Sequence, residues 1–219
     1  MVSNLIRQRK GIVIVAIAAV LLVCLFFVDV PRLTHVVPDA QDAIFVIHEP
    51  ERQQFFYGTL EGTPHTYAFS LNAETRVVAQ LMMPDIAGSA DSISAIIVRL
   101  PEGKGRVEEV ARLRAADSAW SRARIATSDT LRQGPSFDAV LEPGAYRLEI
   151  HTSDNMDRYV LRMGTDTRGG NYFSFLAQLG AFKKFLGSSV AAVLLSPFVF
   201  IPLGMCIGAA FAWRTRRKQ

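Results

Sequence analysis

The stretch that decides the fold class is Asp138-Ala-Val-Leu-Glu-Pro-Gly-Ala-Tyr-Arg-Leu-Glu-Ile150. Its centre, Pro143-Gly144, joins a residue with a fixed φ to a residue that readily adopts a positive φ, which predicts a type II turn. From Tyr146 to Ile150 every second residue is apolar, which is the period of a strand that buries one face. This stretch therefore predicts a β-hairpin.

Strand-length runs continue on both sides of the hairpin. In the run that begins at His65, the side chains of Tyr67, Phe69 and Leu71 fall on one face. The predicted strands are an edge strand over Ala43–Ile47, followed by His65–Leu71, Arg76–Met82, Ser94–Leu100, Glu109–Arg114, Phe137–Leu141, Gly144–His151 and Arg158–Gly164. The region from Arg114 to Gln133 is less periodic and predicts a loop or a short helix. Seven or eight strands without intervening amphipathic helices predict a mainly β fold, an antiparallel β-sandwich or jelly roll.

Two long apolar segments near the ends of the chain predict transmembrane α-helices that flank this domain. Residues 11–28 are eighteen residues without a charge, about 27 Å of helix, close to the roughly 30 Å hydrocarbon core of a bilayer. The residues that follow offer no small side chains for a signal-peptide cleavage site, so we expect an uncleaved anchor. Residues 185–213 also lack charge, and their prolines, Pro197 and Pro202, are tolerated in spanning helices.

Basic residues beside these segments predict their orientation. They precede the first segment and follow the second, so the positive-inside rule places both termini in the cytoplasm. Gly204 and Gly208, four residues apart, suit contact with the first helix or a partner, or are ordinary small residues that face lipid. We therefore expect a bacterial inner-membrane protein whose main domain is periplasmic or otherwise extracytoplasmic. The expected organisation is a cytoplasmic N-terminus over 1–10, transmembrane helix 1 over 11–28, the β-sandwich over 29–168, an interfacial helix over 169–186, transmembrane helix 2 over 187–213 and a cytoplasmic basic tail over 214–219.

The segment 169–186 predicts an amphipathic helix, because its large apolar residues recur at three- and four-residue steps. Such a stripe is typical of a helix in the membrane interface, and also of a helix that packs on the β domain. We expect the interfacial position because the segment joins directly to an apolar segment. The residues expected at the membrane interface are Tyr172, Phe175, Phe182, Lys183, Lys184 and Trp213.

The charge distribution argues against nucleic acid as a partner. The chain holds 24 Lys and Arg against 20 Asp and Glu, a formal net charge of +4. Seven of these cations lie outside the two apolar segments, at the extreme ends of the chain, and the remaining 17 leave the central region with a net charge of −3. A mildly acidic domain lacks the basic surface that nucleic acids require.

The order of turns and strands is similar to that of bacterial pre-peptidase C-terminal-like domains. More closely, it resembles an uncharacterised group of bacterial membrane-anchored proteins with such a domain. The residues that carry the resemblance are Phe56-Tyr57-Gly58-Thr59-Leu60-Glu61-Gly62-Thr63-Pro64, Met83-Pro84-Asp85-Ile86, Trp120, Gly134-Pro135 and Gly144-Ala145-Tyr146. They are mainly turn and core residues, so the resemblance implies a fold rather than a reaction. Domains of this type commonly act as binding or accessory modules.

The sequence offers no recognisable catalytic motif. The four histidines lack metal-ligand spacing and predict surface or turn positions, and neither a nucleophile elbow nor a phosphate-binding glycine loop is present. Both cysteines lie inside the apolar segments, so they form no disulfide framework for the domain. We expect no catalytic residue and no cofactor.

Two weaker patterns leave alternatives open. Asp154, Asn155 and Asp157 offer oxygen ligands for calcium, but the same residues are favoured in turns for backbone hydrogen bonding alone. Trp120 and Tyr57 offer an aromatic ligand or partner surface, although aromatic residues of a β-sandwich more often lie in its core.

These observations predict a non-enzymatic, membrane-anchored extracytoplasmic module that binds a partner or serves as an accessory subunit. Its expected partners are the lipid bilayer and a membrane protein. The alternative is a cell-envelope ligand sensor or glycan-binding module, which needs an exposed aromatic cleft. An enzyme is the third hypothesis, and it lacks a nucleophile, base or metal cluster that can be named.

Overall fold

The structure is a computed structural model that describes residues 29–37, 43–86, 91–101, 103, 105–168 and 170–216. Strands dominate it. They are β1 (Arg32–His35), β2 (Ile44–Val46), β3 (Gln54–Thr59), β4 (His65–Leu71), β5 (Thr75–Pro84), β6 (Ser94–Leu100), β7 (Glu108–Leu113), β8 (Ser121–Arg124), β9 (Thr130–Leu141), β10 (Gly144–His151) and β11 (Arg158–Met163). The helices are α1 (Tyr172–Phe185) and α2 (Pro197–Arg216), with 3-10 segments at Ala115–Asp117 and Val190–Leu195.

The strands form two sheets. Sheet A has the order β1-β3-β11-β5-β9-β8, and sheet B has the order β2-β4-β10-β6-β7. Neighbours are antiparallel, except that β1 pairs with β3 and β2 pairs with β4 in parallel. This arrangement confirms the predicted mainly β fold with two sheets, consistent with a β-sandwich.

The main core lies between the sheets. The period-two pattern sends alternate side chains inward, so Tyr67 and Phe69 of β4 meet Leu81 and Met83 of β5 and Leu161 of β11 in one buried cluster. Aromatic packing is dense there, and the stacked rings of Phe69 and Tyr146 have centroids 5.3 Å apart. The predicted hairpin is wrong: the chain turns at Pro143-Gly144, but β9 pairs within sheet A and β10 within sheet B, so this turn carries the chain from one sheet to the other. The Tyr146 hydroxyl donates to the Glu142 carbonyl beside the turn at 2.8 Å.

A second cluster lies on the other side of sheet A, under α1. Asn171 caps this helix by accepting a hydrogen bond from the Ser174 amide at 3.0 Å. Tyr172, Phe175 and Phe182 are buried against the outer side chains of sheet A. Each fully buried large apolar side chain contributes roughly 1.5–3 kcal/mol, so this face holds the helix in place.

This packing corrects the expected interfacial position of the helix. Tyr172, Phe175, Phe182 and Lys183 are at most 5% exposed in the structure, and the sheet is what buries them. Packing on the β domain, the other alternative, is what the structure shows. Lys184 is exposed, and the side chain of Trp213 lies outside the described residues.

The start of β1 is fixed to the start of α1 by a close backbone approach. A side chain at Gly170 would collide with the carbonyl of Val30, so only glycine fits there. Val30 itself is 1% exposed and belongs to the cluster under α1. The chain therefore enters and leaves the sandwich at neighbouring points.

The predicted location in the bacterial inner membrane, with two spanning helices and both termini cytoplasmic, is overturned. No helix in the described ranges reaches the length and apolar character that crossing a bilayer requires. The expected helix 187–213 is divided, because a 3-10 segment occupies Val190–Leu195 and the α-helix begins only at Pro197. The expected helix 11–28 lies outside the described residues. The other domain boundaries stay predictions.

Candidate functional site

The two sheets differ in what covers their outer sides. The outer side of sheet A is closed by α1, which buries Phe55, Tyr57 and Val160. The outer side of sheet B carries no helix of the described residues, and its side chains are half-buried or exposed. We call this surface the open face.

Strand register defines the open face. Ala145, Arg147 and Glu149 of β10 alternate with the core residues of that strand, so they point outward. Arg147 lies between Ala68 of β4 and Val98 of β6. The residues that the register places on the open face are Ile44, Val46, Thr66, Ala68, Ser70, Ser94, Ile96, Val98, Leu100, Glu109, Arg112, Ala145, Arg147, Glu149 and His151. Most of these side chains are apolar or small, which suits contact with another apolar surface.

Arg147 is the one cation at the centre of the open face. Its Nε atom is buried and has no hydrogen-bond partner among the described residues. Neither Arg147 nor its outward neighbour Glu149 forms an ion pair within the described part of the chain. A half-buried guanidinium without an anionic partner is unfavourable, because no new hydrogen bond replaces those that its buried atoms lose to water.

Inside the sandwich, a chain of three polar side chains joins the two sheets. The Tyr159 hydroxyl of sheet A lies 2.6 Å from the Tyr67 hydroxyl and 2.7 Å from His65 Nδ1, both of sheet B. His65 is 2% exposed, and its Nε2 atom is buried without a partner. The expectation that His65 occupies a surface or turn position is therefore wrong.

Burial sets the electrostatics of these three groups. It lowers the pKa of His65, and the nearby carboxylate of Glu61 opposes that shift. Burial also raises the pKa of Tyr67 and of Tyr159 far above the ordinary value for tyrosine. All three groups are therefore uncharged near pH 7, and the hydrogen bonds among them connect the two sheets.

A buried ion pair fixes α1 to the turn between β8 and β9. The Lys183 ammonium lies 2.9 Å from both carboxylate oxygens of Asp129 and 3.1 Å from the Thr127 carbonyl. The hydroxyl of Thr127 donates to the same carboxylate at 2.6 Å. Every polar atom of the pair thus has a partner, as a buried charge pair requires. Its geometry explains why Lys183 points inward rather than toward a membrane surface.

The calcium candidates serve the turn after β10. Asp154 accepts from the Thr152 hydroxyl and the Met156 amide, both at 3.2 Å, and Asn155 accepts from the Thr152 amide at 3.0 Å. Asp157 accepts from the Ser92 hydroxyl at 2.6 Å. In the described ranges, no three His, Cys, Asp or Glu side chains group closely enough to hold a metal ion.

The two aromatic candidates, Trp120 and Tyr57, do not come together. Trp120 is half-buried, its Nε1 donates to the Ala115 carbonyl at 3.1 Å, and its ring occupies the space that a side chain at Gly134 would need. Tyr57 is 2% exposed beneath α1, where its ring meets Phe182 edge-on at 4.9 Å. Tyr57 is therefore a packing residue rather than a surface for ligands.

Sequence patterns alone predict only some of the features described above. The alternation that places Tyr67 inward also places His65 inward, because the two residues are two apart on the same strand. The open face could be recognised only from the sheet order, because its rows combine residues from five strands, most of them far apart in the sequence. No sequence pattern connects Lys183 with Asp129, which lie 54 positions apart.

No protein-family model matches the chain, and no curated protein matches it. Two solved structures with some similarity are a pre-peptidase C-terminal domain of a collagenase from Bacillus anthracis and a periplasmic inhibitor of g-type lysozyme from Aeromonas hydrophila. The first is 14% identical, covers 57% of this chain and 98% of its own, and has a TM-score of 0.34. The second is 12% identical, covers 61% and 97%, and has a TM-score of 0.33. The first is the domain type that the sequence resembles, and neither similarity carries an inference about function.

Proposed function

We propose that this protein is a binding or accessory module without catalytic activity of its own, and that it binds a protein partner through the open face. The observation that supports this proposal is the asymmetry of the two sheets. Helix α1 closes sheet A, whereas no described helix covers the apolar outer side of sheet B. Apolar surface that remains exposed on a folded domain often marks an interaction site.

The size of the open face fits a protein partner. Five strands about 4.8 Å apart, with a rise of about 3.3 Å per residue over seven residues, present on the order of 400–500 Å². A standard interface buries about 800 Å² on each partner, so the open face supplies the centre of such an interface and the surrounding loops supply its rim. An open sheet surface suits another protein better than a small molecule, which needs a concave pocket.

Arg147 indicates the chemistry of that partner. Its buried, unpartnered Nε lies among Ala68 and Val98, so an approaching carboxylate would complete its hydrogen bonds in an apolar setting. Arginine pairs with carboxylates through two parallel hydrogen bonds, and it is enriched at interface centres. We therefore propose a partner that presents an acidic side chain surrounded by apolar residues.

The test combines partner isolation with substitutions of the open face. Val98→Glu places a carboxylate at the centre of the surface, and Arg147→Ala removes its cation. We expect each variant to lower the recovery of a stoichiometric co-purifying protein by at least about tenfold, the effect of losing an interface residue worth 1.4 kcal/mol or more. A photo-crosslinker at position 98 should join the chain to the same protein.

Val140→Glu is the matched control, because Val140 is an exposed valine on a strand of sheet A. This variant should retain the co-purifying protein and the wild-type melting temperature. Equal losses from the two glutamate variants, or a full-length chain that always purifies alone, would contradict the proposal.

A further inference from the structure

We propose that the partner adds an extended strand to the free edge of sheet B, at β2. This inference rests on the proposed function, since it specifies how the partner of the open face binds. The supporting observations are the weak protection of this edge, the direction of its peptide groups and the apolar side chains beside it.

The four sheet edges differ in their protection against pairing. Edge strands are normally protected by charge, by a bulge or by a covering element. At β1 the covering element is α1, which buries Leu33. β7 carries Glu108, Glu109 and Arg112 and has a register irregularity, and β8 carries Arg122 and Arg124. β2 has the sequence Ile-Phe-Val, and among the described residues its short length is its only protection, since it has no charge, no bulge and no covering helix.

The backbone of β2 offers two peptide groups to a new strand. The Ile47 amide donates to the Ala68 carbonyl of β4 at 2.8 Å. Because peptide groups alternate in direction along a strand, Phe45 shares the side of Ile47, and the peptide groups of Ile44 and Val46 point away from β4. These groups therefore point to the free edge, where an added strand would bond with them.

The side chains of β2 anchor the edge and extend the open face. Phe45 turns inward, with its ring centroid 5.8 Å from that of His65 and 5.7 Å from that of Tyr67. Ile44 and Val46 are 48% and 58% exposed and lie in register with Thr66 and Ala68 of the open face. A strand added here would bury both side chains and continue the apolar surface in the same plane.

The short length of β2 favours a partner segment over a second copy of this chain. Two copies paired through three-residue strands would share only a few hydrogen bonds and bury far less than the roughly 800 Å² per partner of a stable interface. An extended segment of another protein can pair with β2 while the rest of that protein covers the open face. Such a segment would carry apolar residues at alternate positions, as in strand addition to other sheet edges.

The experiment selects short random peptides displayed on phage against the immobilised full-length chain. The discriminating variant is Val46→Pro, which removes the amide that faces the free edge and leaves the bonds to β4 intact, as edge strands permit. Val46→Ala is its matched control, because it shortens the side chain and keeps the amide. If Val46→Pro does not fold, Ile44→Pro removes the other outward amide.

We expect selected peptides with alternating apolar residues, a loss of binding of at least tenfold in Val46→Pro, and less than threefold in Val46→Ala. Bound peptide should also slow hydrogen exchange of the Ile44 and Val46 amides. Peptides that bind both variants equally, peptides that leave these amides unprotected, or a selection that yields no binder would each overturn the inference. Those results leave the open-face test intact, since that test depends on Val98 and Arg147.

Discussion

At the residue scale, His65 makes the stability of the fold depend on pH. Its lowered pKa means that the folded protein resists a proton that the unfolded chain accepts. Elements around it present Tyr159 and Phe45 to the ring, and the nearby Glu61 supplies the opposing charge. A proton on His65 would therefore place a cation in the core beside hydroxyl groups that stay neutral.

The sign of the effect follows from that shift. Stability is complete above the ordinary histidine pKa of about 6.5 and falls as the pH drops below it, until the lower pKa of the folded state is reached. We expect the free energy of unfolding in urea to decrease between pH 7 and pH 5. In His65→Gln, which cannot titrate, that decrease should become smaller. An equal decrease in both proteins would show that other groups cause it.

The middle position of Tyr159 in the buried chain makes its hydroxyl more important than that of Tyr67. Tyr159→Phe would leave both the Tyr67 hydroxyl and His65 Nδ1 without their partner, whereas Tyr67→Phe removes only the end of the chain. Each buried polar group left unpaired costs about 1–3 kcal/mol. We expect Tyr159→Phe to lower the free energy of unfolding by about 2 kcal/mol or more, and Tyr67→Phe to lower it by roughly half as much. Urea titrations at pH 7.5 measure both, and a larger loss in Tyr67→Phe would contradict the assignment.

At the scale of elements, α1 is joined to the sandwich by an apolar face and by one ion pair. Lys183→Ala would leave the Asp129 carboxylate buried with Thr127 as its side-chain partner. Removing one member of a buried pair costs about 3–5 kcal/mol, while replacing both members with apolar residues is often neutral. We expect a loss of that size in Lys183→Ala and recovery of most of it in Lys183→Met/Asp129→Leu.

Calorimetry of the single and double variants measures this coupling. Phe173→Ala is the comparison on α1, because Phe173 is 42% exposed and does not belong to the cluster that holds the helix. A double variant no more stable than Lys183→Ala would show that the ion pair is not the source of the loss.

Strands in which apolar and polar residues alternate regularly were predicted with correct bounds. Strands without this alternation were missed or given wrong bounds. β4, β6 and β10 match their predicted residues, since in each of them every second side chain enters the core. β1 and β8 have four residues each and little apolar pattern, so their pairing partners rather than their own residues define them. β9 continues through Gly134-Pro135, which indicates a break in sequence terms but lies within the strand.

At the scale of the whole molecule, the cluster under α1 places this helix in the folding unit of the β domain. A fragment of residues 29–168 would expose Phe55, Tyr57 and Val160 on the outer side of sheet A. A fragment of residues 29–188 retains α1 and its C-terminal turn, where the Ser188 amide donates to the Lys183 carbonyl at 2.9 Å. We expect the shorter fragment to aggregate and to bind a hydrophobic dye, and the longer one to stay monomeric with a cooperative unfolding transition. Equal solubility of the two fragments would show that α1 is not part of the folding unit.

The candidate site depends on tertiary arrangement more than on local sequence. The outward positions of Arg147 and Glu149 follow from the alternation of β10 alone. The order in which distant strands pair determines two further features. It leaves these residues without a described helix above them, and it makes β2 the free edge. Local pattern therefore predicts which side chains point outward, and only the assembled sheets show which of these surfaces remains uncovered.

The contact between Val30 and Gly170 also determines how the domain would respond to mechanical force. Because the backbone touches itself where the chain enters the sandwich and where it turns into α1, tension from the N-terminal side reaches β1 beside this contact. Tension from the C-terminal side must first separate α1, with its apolar face and the Lys183–Asp129 pair, from sheet A. After that, the pull reaches the parallel β1–β3 pair at one end of sheet A and peels its hydrogen bonds in sequence rather than shearing them together.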